Sequence, residues 1–188
     1  MASSHSGITV GTASLTETNA VLTASGSLSA TDVDSSAAFV AQTGVAGSNG
    51  YGSFTIDTAG AWTYTANSAH NEFAAGTNYT DSITVATADG TTQVITVTIA
   101  GTNDAAVITG TSTASLTETN AALTASGTLS ATDVDSSAAF VAQTGVLGSN
   151  GYGNFSINAA GAWTYTANSA HNEFAAGTNY TDSITVAT

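Results

Sequence analysis

Two aspartates flanking a valine, Asp32 and Asp34 in "SATDVDSS", return as Asp133 and Asp135 in an identical stretch at 130–137. Neither pair has a basic neighbour, because the 188-residue chain holds 13 Asp and Glu and no Lys or Arg, for a formal net charge of -13. Every carboxylate must therefore be solvated, hydrogen-bonded, or paired with something the chain does not encode. Two like charges about 4 Å apart cost on the order of 4 kcal/mol at an effective dielectric near 20. Carboxylates turned toward one point thus need a cation, and calcium, a hard ion taking about six to eight oxygens, suits this inventory. The same pair also reads as an Asx turn carrying two solvated acids.

A second group lies in "GTNDAA", 101–106, where Asn103 and Asp104 fall between two copies of one repeat. With Asp133 and Asp135 from a loop end of the second copy and Glu17 from the first strand of the first, they could form a metal clamp. The alternative is an ordinary polar linker. "HNE" at 70–72 and 171–173 offers too few ligands for zinc, which takes three or four from the protein, and reads as a loop that caps the fold. Tyr79 and Asp81 enter a strand where a Tyr hydroxyl often pins a corner, so a structural hydrogen bond is the favoured role. For catalysis, no nucleophile sits in a recognisable elbow and no Lys or Arg could steady an oxyanion. The chain is not expected to be an enzyme.

The elements that must position these residues come in two copies at an offset of 101. Residues 13–87 and 114–188 differ at only seven positions, 21, 27, 46, 53, 55, 57 and 58 in the first copy, which is tandem repetition of a domain-sized unit. Within a copy the apolar period is two, and it predicts strands over 13–17, 21–30, 37–42, 51–56, 61–66, 79–87 and 91–100. Seven strands separated by Gly, Asn, Asp and Ser turns predict a β-sandwich, with hairpin turns at 57–60 and 88–90. The stretch 67–76 reads as a short helix or a looped crossover. Phe39, Phe54, Trp62, Tyr64, Ile83 and Val85 are expected in the core, joined by Leu15, Leu22, Leu28, Ile95 and Val97. We therefore divide the chain into repeat 1, 7–104, and repeat 2, 105–188. Thr188 corresponds to Thr87, so repeat 2 lacks its final strand in this sequence. Either the chain is cut from a larger array or another chain supplies the strand by edge addition.

Charge and composition exclude several classes. A uniformly negative surface does not capture phosphate backbones, which need clustered Lys and Arg, and no apolar run approaches membrane-spanning length. Neither nucleic acid nor membrane insertion is expected. The absence of cysteine removes disulfides and thiolate metal sites, and a bound metal is a usual substitute staple in small domains. The start, "MASSHSG", has no signal-peptide pattern and reads as a tag remnant.

"LTASGSLSATDVDSSAAFVAQTG", "YGSFTIDTAGAWTYTAN" and "TDSITVATADGTTQVITVTIAGTND", in that order, resemble the VCBS repeat of giant bacterial RTX adhesins. The resemblance covers nearly all of 13–104, and 114–188 without the last strand. It implies an all-β chain of two tandem immunoglobulin-like, cadherin-like sandwiches, acting as an extender in an exported surface adhesin. It further implies Ca2+ between repeats, with Glu17, Asn103 with Asp104, and Asp133 with Asp135 in roles similar to those at cadherin junctions. Asp32 and Asp34 would serve a preceding domain in the same way. The implied setting is the bacterial cell surface, in adhesion or biofilm, with neighbouring repeats or other copies of the chain as partners. Two further classes remain open: a subunit of an extracellular filament assembled by strand donation, and a glycan-binding module using exposed Tyr51, Asn49 and His70.

Overall fold

The structure, a computed structural model, describes residues 7–188; residues 1–6, within the stretch read as a tag remnant, lie outside the described residues. The chain divides into two compact units, the first ending at Asn103 and the second beginning at Asp104. Among the described residues every regular element is a β-strand, and the chain is a tandem pair of immunoglobulin-like β domains.

The first unit contains β1 (Gly7–Ile8), β2 (Gly11–Thr16), β3 (Thr23–Ser27), β4 (Ala30–Thr31), β5 (Gln42–Ala46), β6 (Gly52–Ile56), β7 (Ala61–Ala66), β8 (Asn78–Ala86) and β9 (Thr92–Ala100). One sheet has the order β3-β7-β6-β5, the other β2-β9-β8, and β1 pairs with β4. All pairings are antiparallel except β2 with β9, which runs parallel from Gly11↔Ile95 to Thr16↔Ala100. The period of two sends alternate side chains inward. β6 contributes Phe54 and Ile56, β7 Trp62 and Tyr64, β8 Ile83 and Val85, and β9 Ile95, Val97 and Ile99 to one buried cluster with Leu28, Phe39 and Phe73. Each such side chain is worth about 1.5–3 kcal/mol on burial, so the three from β9 are a substantial part of the driving force. Leu15 and Leu22 pack half-buried against the cluster.

The third expected strand requires correction. Within 37–42, Phe39 makes only an isolated bridge to Thr87, and the strand runs over Gln42–Ala46 instead. The backbone here divides its hydrogen bonds, Phe39 N donating to Thr58 O in the β6–β7 turn and Val40 N to Ala86 O at the end of β8. A stretch shared between two partners forms no ladder. Gly44, at φ +64°, then lets β5 bulge against β6 between Gln42 and Val45, a backbone state that an L side chain rarely takes. Both hairpin turns form as expected, closed by Asp57 N to Ala61 O and Thr87 N to Thr91 O. Residues 67–76 are a looped crossover without helix.

The second unit contains β10 (Val107–Gly110), β11 (Thr124–Thr132), β12 (Gln143–Leu147), β13 (Gly153–Ile157) and β14 (Ala162–Ala167), in one sheet ordered β10-β11-β14-β13-β12. The registers of β11, β14, β13 and β12 repeat those of the first unit at an offset of 101. The counterparts of β2 and β8, residues 112–117 and 179–187, are present but are not strands. Both should pair with a counterpart of β9, which this sequence does not contain.

Candidate metal-binding carboxylates

Glu17 follows β2 directly, and the parallel register that sets Thr16 opposite Ala100 brings Glu17 beside the residues that follow β9. Glu17 N donates to Ala100 O at 2.8 Å, and the Thr102 hydroxyl donates to Glu17 Oε2. The side chain is only 1% exposed, and its Oε1 is buried with no hydrogen-bond partner among the described residues. A buried carboxylate oxygen without a donor is costly, and no Lys or Arg exists to relieve it.

At the "DVD" loop the side chain of Asp32 turns back on its own backbone. Its Oδ1 accepts from Asp34 N at 3.0 Å and Ser35 N at 2.8 Å, an Asx turn, while Asp34 is exposed. These amides hold the Asp32 carboxyl well below the usual carboxylate range. Sequence reasoning missed a neighbour here. Asp89, in the β8–β9 turn, accepts from the Thr87 hydroxyl, Thr91 N and the Thr91 hydroxyl, which lower its pKa despite an opposing contribution from Asp32 beside it. The pairing crosses from one end of the sequence repeat to the other, so only the closed sandwich discloses it.

In the second unit the same Asx turn forms, Asp133 Oδ1 accepting from Asp135 N at 3.1 Å and Ser136 N at 2.8 Å, and lowers the pKa of Asp133. Here the following acid is also engaged, because Asp104 N points at the Asp135 carboxylate, 3.3 Å from Oδ1 and 3.4 Å from Oδ2. Desolvation and a hydrogen bond with Asp133, with the charges of Asp133 and Asp104 nearby, push the Asp135 carboxyl upward. Asp104, Asp133 and Asp135 therefore form one acidic neighbourhood within the second unit. Asn103 closes the first unit and is exposed. Among the described residues no three His, Cys, Asp or Glu gather closely enough to hold an ion. The donors themselves, carboxylate oxygens with one orphaned and buried at Glu17, are of the kind a hard divalent cation takes.

Other candidates settle into structural roles. His70 is buried, its Nδ1 2.7 Å from Glu72 Oε1 and its Nε2 2.7 Å from Tyr51 O, and its ring stacks on Phe73, which stacks on Tyr79. Of the trio expected to be exposed for glycans, His70 is enclosed because both ring nitrogens have partners inside and Tyr51 is half-buried against Phe73, whereas Asn49 is exposed, its Nδ2 donating to Thr80 O. The Tyr79 hydroxyl accepts from Ala74 N at 3.2 Å, pinning the crossover. Asp81 is fully buried, accepting from Asn49 N, Gly52 N and Ser82 N. A Cβ on Gly47 would lie 2.1 Å from its carboxylate, so the loop can close over Asp81 only with glycine there. The neighbouring Tyr64 phenol is pushed upward by burial and by Asp81.

The family described as bacterial cadherin-like domain matches residues 6–101, and the family described as bacterial Ig domain matches residues 103–187. A solved structure titled "PcdhgB3 EC1-4 in 50 mM HEPES" is 16% identical, with a TM-score of 0.45, over 87% of this chain and 41% of that one. The chain thus spans less than half the length of that protein. No curated protein sequence matches.

Proposed function

Because the chain belongs to the bacterial cadherin-like domain family, we propose that it is an extracellular structural repeat, stiffened by calcium, that spaces an adhesive region from a bacterial surface. On this reading the repeats are of the VCBS type found in RTX adhesins, serve adhesion or biofilm formation, and have neighbouring repeats or other copies of the chain as partners. Tandem units that agree at all but seven of 75 aligned positions suit a part that sets length. Domains of this kind are characteristically non-enzymatic modules. Among the described residues no helix is long and apolar enough to cross a membrane.

The observation that carries the calcium reading is the buried Oε1 of Glu17, without a hydrogen-bond partner among the described residues, in a chain that has no Lys or Arg. Glu17 and Asn103 of the first unit would serve as ligands with Asp104, Asp133 and Asp135 of the second, and Asp32 and Asp34 would act likewise toward a preceding repeat. Bound calcium would supply the positive charge that these oxygens lack. The chain's part is to hold them ready: the Asx turns keep Asp32 and Asp133 ionised, and Thr102 fixes Glu17. An ion bound only by the ordered arrangement stabilises it in proportion to the logarithm of its concentration above Kd, about 0.1–1 mM for extracellular modules.

Small-angle scattering of the whole chain with about 5 mM calcium, roughly 5 to 50 times the expected Kd, or with chelator tests this. The expected result is a larger maximum dimension and a narrower distribution with calcium. Identical curves, together with no calcium binding by titration calorimetry, would sink the proposal.

A further inference from the structure

The outer edge of β8 is closed without a ladder. Its outward carbonyls are taken in turn by Asn49 Nδ2 at Thr80 O, Ser48 N at Ser82 O, Gln42 Nε2 at Thr84 O and Val40 N at Ala86 O. The second unit repeats this along residues 179–187, with Asn150 Nδ2 2.7 Å from Thr181 O. An edge left unpaired is a template for pairing with other chains, so these caps close a liability. One of them is chemically labile. Asn49 and Asn150 are exposed, and each is followed by glycine, the only Asn-Gly pairs in the chain. Glycine carries no side chain to keep its amide nitrogen away from the preceding Asn side-chain carbonyl. It is called for here because Gly50 and Gly151 stand at φ +73° and +74°. The loop also restrains the pair. Gly50 N donates to Gly47 O at 3.0 Å, Asn49 N to Asp81 Oδ1 at 2.9 Å, and Asn49 Nδ2 to Thr80 O at 2.6 Å.

We propose that Asn49 and Asn150 are self-modification sites, at which the chain closes a succinimide and then opens it to aspartate or isoaspartate. Gly50 N, its proton taken by solvent hydroxide, attacks Asn49 Cγ. The N–Cγ bond forms, the Cγ–Nδ2 bond breaks, and ammonia leaves with a proton from solvent. Water then opens the imide at either carbonyl, giving aspartate from one and, from the other, isoaspartate, whose backbone runs on through the side-chain carboxyl. Water is the sole co-reactant. The loop sets the rate, because Gly50 N must leave Gly47 O before it can attack. The product changes what the loop does. A carboxylate oxygen replaces the amide donor facing Thr80 O, so two acceptors meet where a hydrogen bond stood, and the new charge stands beside Asp81. With no Lys or Arg in the chain, no such neighbour offsets it. The site is thus a timer whose completion uncaps the edge of β8 in the first unit and of residues 179–187 in the second.

The test keeps the folded whole chain in heavy-oxygen water at mildly alkaline pH for weeks, then locates the label by mass spectrometry of its fragments. Solvent oxygen is expected at Asn49 and Asn150, with more isoaspartate than aspartate. None is expected at Asn67, which is also exposed and donates from its Nδ2 to Gly50 O, but precedes serine. Asn49→Gln and Asn150→Gln should each lose the label at its own position alone. A chain carrying Asn49→Asp should show a lower urea midpoint for its first unit and faster amide exchange across 78–86. Absence of label at Asn49 and Asn150 in the folded chain would overturn the proposal, since the loop would then forbid the reaction. Equal labelling of Asn67 would also overturn it, by making exposure alone the cause. An Asn49→Asp chain with unchanged midpoint and exchange would overturn the uncapping.

Discussion

Val85 and Val186 stand in the same sentence of sequence, "NYTDSITVAT", yet the first is fully buried in a strand and the second half-buried in a segment with no ladder. The contrast extends through the two units. Phe54 and Tyr64 are fully buried, whereas Phe155 and Tyr165 are half-exposed; Glu17 is buried under Thr102, whereas Glu118 is exposed. Leu116 is 44% exposed where Leu15 is packed. None of the seven differing positions accounts for this, because β2 and β8 match their counterparts from position 13 onward and throughout. What differs is β9. The comparison teaches that strand state here belongs to the pair of neighbours, not to the segment, as expected when β-propensity chiefly measures packing against adjacent strands.

The largest effect should come from supplying the missing neighbour in cis. Extending the chain after Thr188 with a copy of residues 88–104 is expected to raise the stability of the second unit by a few kcal/mol, as three aliphatic side chains, two new backbone ladders and the repacked neighbours together outweigh the entropy of ordering the strand. Denaturant unfolding should then pass from two separated transitions, the second unit first, to near coincidence. If the extended chain still unfolds in two distant steps, the units differ for another reason.

Core truncation should sharpen the same contrast. Phe54→Ala is expected to cost about 3–5 kcal/mol, as for a fully enclosed ring, and Phe155→Ala less than about 2, because its cavity opens into a groove already reached by water. Equal losses in chemical denaturation would show that the groove is closed in solution.

A smaller separation is expected at the buried carboxylate. Asp182 receives Asn150 N, Tyr152 N and Gly153 N much as Asp81 is held, but it is half-buried. Replacing either with Asn turns an amide donor toward backbone donors. We expect about 2–3 kcal/mol lost for Asp81→Asn and about half that for Asp182→Asn, where water can substitute, read from the midpoint of each unit's transition.

The smallest effect is electrostatic and confined to the crossover loop of the second unit. His171 Nδ1 lies 2.8 Å from Glu173 Oε1 and Nε2 2.8 Å from Tyr152 O, so both nitrogens face acceptors and the doubly protonated ring satisfies both. The hydrogen bond with Glu173, then that with the Tyr152 carbonyl, raises the His171 pKa above 6.5, and the same bond lowers that of Glu173 below 4.5. Because the folded His171 value is raised, its contribution to stability is fully present below pH 6.5 and is lost as the pH rises through the folded value. The Glu173 value is depressed, so its share is present above pH 4.5 and lost as the pH falls through its folded value. Histidine NMR titration should give a His171 midpoint above 6.5 that drops in Glu173→Gln. An unmoved midpoint would dismiss the pairing.

Much of the fold was legible because it rests on local signals. The alternation around Trp62, Tyr64, Phe54 and Val85 assigned the inward face directly, and "DTAG" and "ADG" marked turns that exist. The stretch 37–42 misled because its alternation is real but its backbone bonds go to two partners. At the candidate site, residues such as Glu17, Asp32 and Asp133 could be singled out from charge and spacing. Thr102 as the donor to Glu17, Asp89 beside Asp32, and the enclosure of His70 could not. Each depends on a register between segments far apart in sequence, for which a single chain carries no local mark.

The sequence alone determined the repeat, the inward-facing side chains, the turns and the absence of any Lys or Arg, since these follow from residue identity and a period of two. Only the tertiary structure decided which identical segments become strands and which identical carboxylates are buried. Backbone hydrogen bonds in a sheet are made between strands, so a segment's state waits on a neighbour that its own residues cannot provide.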